Sequence, residues 1–218
     1  MCFSATASFI AGVSLSALGV ATMKKTERKA EIPFAMIPLL FGIQQIIEGM
    51  LWLSFRFDAP LLNVMMTYAF TLFSHVLWPM FVPFSIVLVE TVAWRKKAIW
   101  TFQFIGIAVG LYLLYWIVRF PVTSKVDEHI VYVSPHFYNV PVMALYLAAT
   151  CVGCFFSSHK IINIFGILAL LLFMVAYWIH TVAFFSIWCF FAAILSVVIY
   201  WYFKFGNDPA PDLMRHRA

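Results

Sequence analysis

Phe41-Gly42-Ile43-Gln44-Gln45-Ile46-Ile47-Glu48-Gly49-Met50-Leu51-Trp52 lies inside an apolar run long enough to cross a bilayer, yet it carries two amides and a carboxylate. Glu48 is the only one of the nine acidic residues that falls in the middle of such a run. An ionisable group at that depth costs roughly 2.5–3.5 kcal/mol on insertion scales and normally faces protein or a watery cavity. The rest of the chain therefore reads as a cage around this group. Lipid leaves the backbone only two ways to satisfy its own hydrogen bonds, helices or a closed barrel. Apolar runs of about 20 residues, rather than alternating ten-residue strands, select helices.

Composition agrees. Of 218 residues, 64% are hydrophobic and 11% charged, against about 45–50% and 25% in soluble domains. Mean hydropathy is +0.96. The net charge of +5 does not indicate a nucleic-acid partner, because the basic residues sit in short clusters between apolar runs, the positive-inside pattern. Cys2, Cys151, Cys154 and Cys189 are too few and too embedded for a secreted disulfide framework. The first basic residues follow the first apolar run, which is not the arrangement of a cleavable signal peptide.

The fold expected is an all-α, polytopic membrane bundle of one domain, residues 1–218, with seven spans. They cover about Phe3–Met23, Ile32–Phe55, Leu61–Glu90, Ala98–Val118, Val140–Phe156, and two helices sharing the 43-residue run Ile161–Phe203, with a turn at His180-Thr181. The first span is rich in small residues, which let helix backbones approach closely in lipid. The third is longer than a bilayer needs, and Pro79 and Pro83 should kink or break it. Residues 119–139 form the only sizeable loop, in which Val131-Tyr132-Val133 before Ser134-Pro135 has strand and turn character. Eleven of the fourteen Lys and Arg residues fall on one set of alternate loops and ends. That bias places the N-terminus and the 119–139 loop outside, and the 204–218 tail in the cytoplasm.

This topology assigns depth to the unusual residues. Gln44, Gln45, Glu48 and Trp52 share one helical stripe. Ser74, His75 and Trp78 fall near mid-depth of the third span, and Ser186 and Cys189 in the outer half of the last. Cys2 opens the chain at the outer surface. Cys2, Glu48, His75, His180 and Cys189 thus share the outer side of the bilayer. Each also has a plainer reading. Glu48 with its glutamines suits a hydrogen-bonded knot between helices, His75 a cap on a carbonyl freed by proline, His180 an interfacial residue, and Cys189 a small packing residue. Cys151-Val152-Gly153-Cys154 has no second cysteine pair to complete a four-ligand metal site and reads as packing. The Phe-rich stripes read as lipid-facing.

Met1-Cys2-Phe3-Ser4-Ala5-Thr6-Ala7-Ser8-Phe9, Gln44-Gln45-xx-Glu48-Gly49-xx-Trp52 and Trp188-Cys189-Phe190-Phe191-Ala192-Ala193 together resemble a bacterial family of multi-pass membrane proteins known by its opening MCFSATASF. The resemblance covers most of the chain. It implies a bacterial-type inner-membrane location and no established activity. A looser likeness, in span number alone, is to the seven-helix alkaline ceramidases and adiponectin-receptor-like hydrolases, which hold a zinc with histidines. The paired His-x-x-x-His of their last span is missing here.

The site expected is an outward-facing chamber with Glu48, His75 and Cys2 as catalytic groups, supported by Gln44, Gln45, Ser74, Trp52, Trp78, Ser186 and Cys189. Cys2, Glu48 and His75, with His180 in addition, form a ligand set suited to zinc or another transition metal, which would activate water for hydrolysis. A membrane lipid or other amphiphile is the natural substrate. The rivals are a transporter, channel or small-ligand receptor using Glu48 for a proton or cation, and a non-catalytic scaffold. The orientation is open to a direct check. A phosphatase reporter inserted after Lys125 should be active, and a green fluorescent protein fused after Ala218 should fluoresce, in a bacterial host. The reverse pattern would invert the topology.

Overall fold

The computed structural model describes residues 4–126, 129–134, 139–179 and 183–205. It is an all-α bundle with one small hairpin. Six helical segments are long and apolar enough to cross a membrane: Ala5–Met23, Lys29–Arg56, Pro60–Val89, Ala93–Arg119, Lys160–Ile179 and Phe184–Phe205. A further apolar segment, Val140–Phe156, is shorter.

Helix α1 (Ala5–Met23) starts where Ser4 Oγ accepts the Ala7 N–H at 3.3 Å, the usual service of a serine to the open first turn. It runs along α3 (Ile37–Arg56), which follows a short helix α2 (Ile32–Ala35). The small residues of α1 explain that pairing. A Cβ on Gly19 would collide with the Leu39 backbone, and one on Gly42 would meet Ser16 Oγ at 2.5 Å. Close backbone approach of this kind is what holds helices together where lipid removes the hydrophobic drive. Ser8 and Leu15 are buried in the same seam, while Ile10, Val13 and Val20 face outward.

The third span is continuous through its prolines. Helix α4 (Pro60–Thr71) passes through a π-helical stretch, Leu72–Leu77, into α5 (Trp78–Val89). The run therefore does not break at Pro79 or Pro83; it widens by one residue per turn just before Pro79. Helix α6 (Ala93–Arg119) lies against it with no room to spare, since a Cβ on Gly106 would strike the Pro79 carbonyl oxygen and one on Gly110 the Met80 side chain. Strands β1 (Thr123–Val126) and β2 (Ile130–Val133) follow as an antiparallel pair, with Ser124 opposite Tyr132 and Val126 opposite Ile130. Val131-Tyr132-Val133 is thus a strand.

Helix α7 (Val140–Thr150) gives way to a tighter 3₁₀ turn, Val152–Phe156. Cys151 and Cys154 are buried there, Gly166 of α8 (Lys160–Ile179) rests on the Cys154 Cβ, and the Cys154 thiol donates to the Thr150 carbonyl. Helix α8 ends at Ile179 and α9 (Phe184–Leu195) begins five residues on; the expected turn at His180-Thr181 lies outside the described residues. Helix α10 (Val197–Phe205) completes the last span after Ser196 turns its hydroxyl onto the Ala193 carbonyl. Phe34, Phe41, Phe70, Phe184 and Phe185 are buried. Phe57, Phe84, Phe104, Phe155 and Phe205 are exposed, so the Phe-rich stripes serve both the core and the outer surface.

The bundle end that carries the Lys and Arg clusters is tied by one carboxylate. Glu90, just past α5, is 1% exposed. Its Oε1 accepts from the Val92 N–H at 2.8 Å and the Ser158 hydroxyl at 2.9 Å, and its Oε2 from the Ser158 N–H at 2.6 Å. Arg95 donates to the carbonyls of Phe156 and Ser157 beside it. Burial by itself raises the Glu90 carboxyl, but the donors from Ser158 and Val92 outweigh it and hold the group below the ordinary carboxylate value. A lowered folded-state value means stability that is present above the unfolded value, about 4.3 for glutamate, and lost as pH falls through the folded one. Glu90→Gln should accordingly lower the unfolding temperature in detergent at neutral pH. Its deficit against wild type should close as the pH falls below about 4. An equal deficit at every pH would show that the charge is not what matters.

Candidate functional site

Three side chains of α3 define the site. Gln44, Gln45 and Glu48 all have no exposure, and their spacing of three and four residues puts them on one face. Ser186, in the first turn of α9, donates to Glu48 Oε1 at 2.5 Å, and Gln45 Nε2 lies 3.5 Å from Glu48 Oε2. Trp78, at the start of α5, donates its indole N–H to Gln44 Oε1 at 2.7 Å while its ring stacks on Phe41, centroids 3.9 Å apart. Phe41 and Gln44 are one turn apart, so α3 holds the Trp78 ring by its face and its N–H at once. Cys189 follows Ser186 by one turn of α9. Gln44 Nε2 faces its thiol but outside hydrogen-bonding geometry.

The hydrogen bonds around Glu48 do not close on themselves. Gln44 Nε2, Gln45 Oε1 and Trp52 Nε1 are buried with no hydrogen-bond partner among the described residues. Thr22, Ser54, Thr71 and Ser85 each turn back onto a carbonyl of their own helix, while Ser8 Oγ and Ser16 Oγ of α1 are buried without a hydrogen-bond partner among the described residues. A cavity of about 30 Å³ lies against the same wall, bounded by Trp78, Tyr146, Trp188 and Cys189. That is room for one water molecule.

Ser74 and His75 come from the π-helical stretch. Ser74 Oγ lies 2.7 Å from His75 Nδ1 and 3.3 Å from the Thr71 carbonyl, which also accepts from His75. The imidazole lies against Phe185, centroids 4.3 Å apart. Phe185 precedes Ser186, so His75 and Glu48 flank the same turn of α9. Pro79 explains the local geometry. In a π-helix its N–H would serve the Ser74 carbonyl, five residues back, and proline has none. The Tyr146 hydroxyl of α7 donates to that carbonyl instead, at 2.5 Å.

The structure thus brings together Glu48, Gln44, Gln45, Trp78, Ser186 and Cys189, and sets Ser74 and His75 across the α9 turn. Trp52 lies one turn further along α3, beside a cluster of Leu51, Phe70, Ile130, Tyr132 and Cys189. Cys2 and His180 lie outside the described residues. Among the described residues no group of three His, Cys, Asp or Glu side chains could hold a metal ion. Sequence reading missed Tyr146 and Phe41. Pro79, five residues after Ser74, was the available sign that some outside donor is needed, though not of which one.

A family model described as that of a family of unknown function matches residues 1–214. Comparisons with curated proteins and with solved structures returned no match, so the likeness to seven-helix hydrolases rests on span number alone. Tyr146→Phe isolates the carbonyl that Pro79 leaves open. Losing this donor to a buried acceptor costs about 1–3 kcal/mol. The variant should unfold at lower temperature in detergent by a corresponding amount, while an unchanged midpoint would show that Ser74 finds another donor.

Proposed function

The chain belongs to the family of unknown function DUF6629, and we propose that it binds the polar headgroup of a lipid or other amphiphile at Glu48, inside the membrane. In this reading it is a multi-pass protein of a bacterial-type inner membrane. Val140–Phe156 serves as the fifth of seven crossings, and the Glu48 chamber lies toward the outer face.

One observation carries the reading: a fully buried carboxylate whose neighbours keep two donors and an acceptor without partners among the described residues. A knot whose only task is to join helices gains most when every polar atom is matched, because each buried unmatched atom costs about 1–3 kcal/mol. Gln44 Nε2 and Trp52 Nε1 offer N–H groups, and Gln45 Oε1 and Glu48 offer oxygens. That set suits a headgroup carrying both carbonyl or phosphoryl oxygens and hydroxyl or amine hydrogens.

The place of His75, packed on Phe185 across the α9 turn from Glu48, favours hydrolysis as the use of this site. A neutral imidazole can accept a proton from water as it attacks an ester or amide carbonyl, and return it to the leaving oxygen or nitrogen. A zinc-type ion would lower the pKa of that water. Glu48 and His75 would hold it together with Cys2 and His180. The rival use is transport of a cation or proton through Glu48. It is favoured by the irregular helices around the site, the π-helical stretch of α4–α5 and the interruption between α8 and α9.

Purified wild type and Glu48→Gln separate these outcomes. The ligand reading expects lipid extracted with the wild-type protein, identified by mass spectrometry, to fall several-fold in Glu48→Gln at unchanged thermal stability. The hydrolytic version further expects about one transition-metal ion per wild-type chain, lost in His75→Ala. Metal-free wild type with Glu48-dependent uptake in liposomes would replace hydrolysis by transport. Lipid content and uptake that ignore Glu48→Gln would leave the scaffold.

A further inference from the structure

The third span has an outer side that the Glu48 site does not use. From the π-helical stretch into α5, Leu72, Val76, Met80 and Phe84 form one ladder. With Gln103 and Ile107 of α6 they bound a groove of about 480 Å³. Leu72 and Phe84 are exposed at its open side. The π-helical stretch turns Ser74 and His75 into the bundle and Leu72 and Val76 onto the groove. Groove and Glu48 chamber therefore lie on opposite sides of it.

Gln103 is out of place in this wall, since every other residue bounding the groove is apolar. Gln103 is 5% exposed, and its Oε1 is buried with no hydrogen-bond partner among the described residues. Hydrocarbon around the span has no water with which to match it. Glycine contacts fix its level. A Cβ on Gly106 would strike the Pro79 carbonyl oxygen, and one on Gly110 would meet that of Val76. The helices thus run antiparallel, and Gln103 lies about one turn past Pro79, toward Phe84 and the Lys- and Arg-rich end. From that level the ladder rises about 15 Å back to Leu72, half the thickness of a hydrocarbon core of about 30 Å.

The shape of the groove narrows what can occupy it. The rise from Leu72 to Phe84 is about 18 Å, so about 480 Å³ leaves a passage about 6 Å wide. One hydrocarbon chain fits this width. A helix 10–12 Å across does not, so a second copy of the protein would cover the mouth without reaching Gln103. An ester-linked phospholipid chain suits the apolar wall but brings only methylenes or ester carbonyls to the amide, and neither donates. A hydroxyl both donates to Oε1 and accepts from Nε2. We propose that the groove is a second lipid site, which takes a single-chain aliphatic alcohol with its hydroxyl on Gln103 and its tail along Val76 to Leu72. It goes beyond the headgroup reading at Glu48 and does not depend on it.

The full-length protein in phosphatidylcholine liposomes would be photolabelled with a tetradecanol carrying a diazirine at the far end of its chain. Peptide mass would locate the label, which is expected within Leu72–Val76. Unlabelled tetradecanol should displace the probe about tenfold better than tetradecyl methyl ether, which accepts but does not donate. That margin is the worth of one hydrogen bond of ordinary strength. Gln103→Met keeps the volume and removes the amide. It should abolish the margin and leave the unfolding temperature unchanged or higher, because an unmatched buried amide is gone. Val76→Phe, which fills the groove, should lower labelling several-fold with Gln103 intact. Equal displacement by alcohol and ether in wild type would overturn the site, and so would an alcohol preference that survives Gln103→Met. Glu48→Gln should label as wild type does. Label lost in that variant would place the alcohol in the Glu48 chamber and overturn the groove. Label kept there, with extracted lipid that ignores Glu48→Gln, would refute the headgroup reading and leave the groove standing.

Discussion

The missing N–H of Pro79 is the constraint on which the inner architecture depends. Inside a membrane a carbonyl without a donor has no water to turn to. The backbone before Pro79 resolves this by widening into a π-helical stretch, Leu72–Leu77, and by taking a hydroxyl from Tyr146 on another helix. The widened turn does more than relieve the proline. It directs Ser74 and His75 inward and sets Trp78 where Phe41 can stack on it and Gln44 can accept from it. The Pro79 carbonyl is left open in turn by Pro83, and α6 presents Gly106 to it. One imino acid thus links α3, α5, α6 and α7, and the site stands at their junction.

The fold class was legible because lipid makes it a matter of length and composition. Apolar runs, small residues along α1 and an isolated Glu48 need no tertiary information. The stripe Gln44-Gln45-Glu48 was legible for the same reason, since helical periodicity alone puts it on one face. Its pairing with Ser186 was visible only as a shared depth, which narrows the candidates without choosing among them. What could not be read is which helix stands beside which. Tyr146 is 72 residues from Ser74, and nothing in its own segment marks it as the donor for that carbonyl. The Phe-rich stretches mislead for a related reason. In a soluble chain burial separates core from surface by polarity, but in a bilayer both are apolar, so Phe34 and Phe184 cannot be told from lipid-facing residues by hydropathy.

Different kinds of contact hold the two ends of the molecule. Where α1 meets α3 and α5 meets α6, glycines bring backbones together with no side chain to yield, and any shift meets main-chain atoms at once. Glu90 adds a polar clamp at the Lys- and Arg-rich end, joining the α5–α6 turn to Ser158. At the opposite end the hairpin joins the bundle through the Thr67, Ser124 and Asn63 side chains, the stack of Tyr132 on Phe70 and the burial of Val122, Ile130 and Val131.

The same asymmetry bears on what Glu48 is for. A carboxylate serving only to join α3 to α9 would do best with all of its neighbours matched, as Glu90 is. Glu48 instead is bonded to one serine and one amide, among N–H and C=O groups that have no partner among the described residues. Two buried glutamates in one chain, of comparable burial, are thus treated oppositely. Around Glu90 the donors converge until the charge is fully held. Around Glu48, Gln44 Nε2 and Trp52 Nε1 are buried without a partner among the described residues. The difference cannot come from the residue type or from burial, which the two share. It comes from what surrounds each: converging donors at Glu90, and at Glu48 one serine, one amide and buried polar atoms without partners among the described residues.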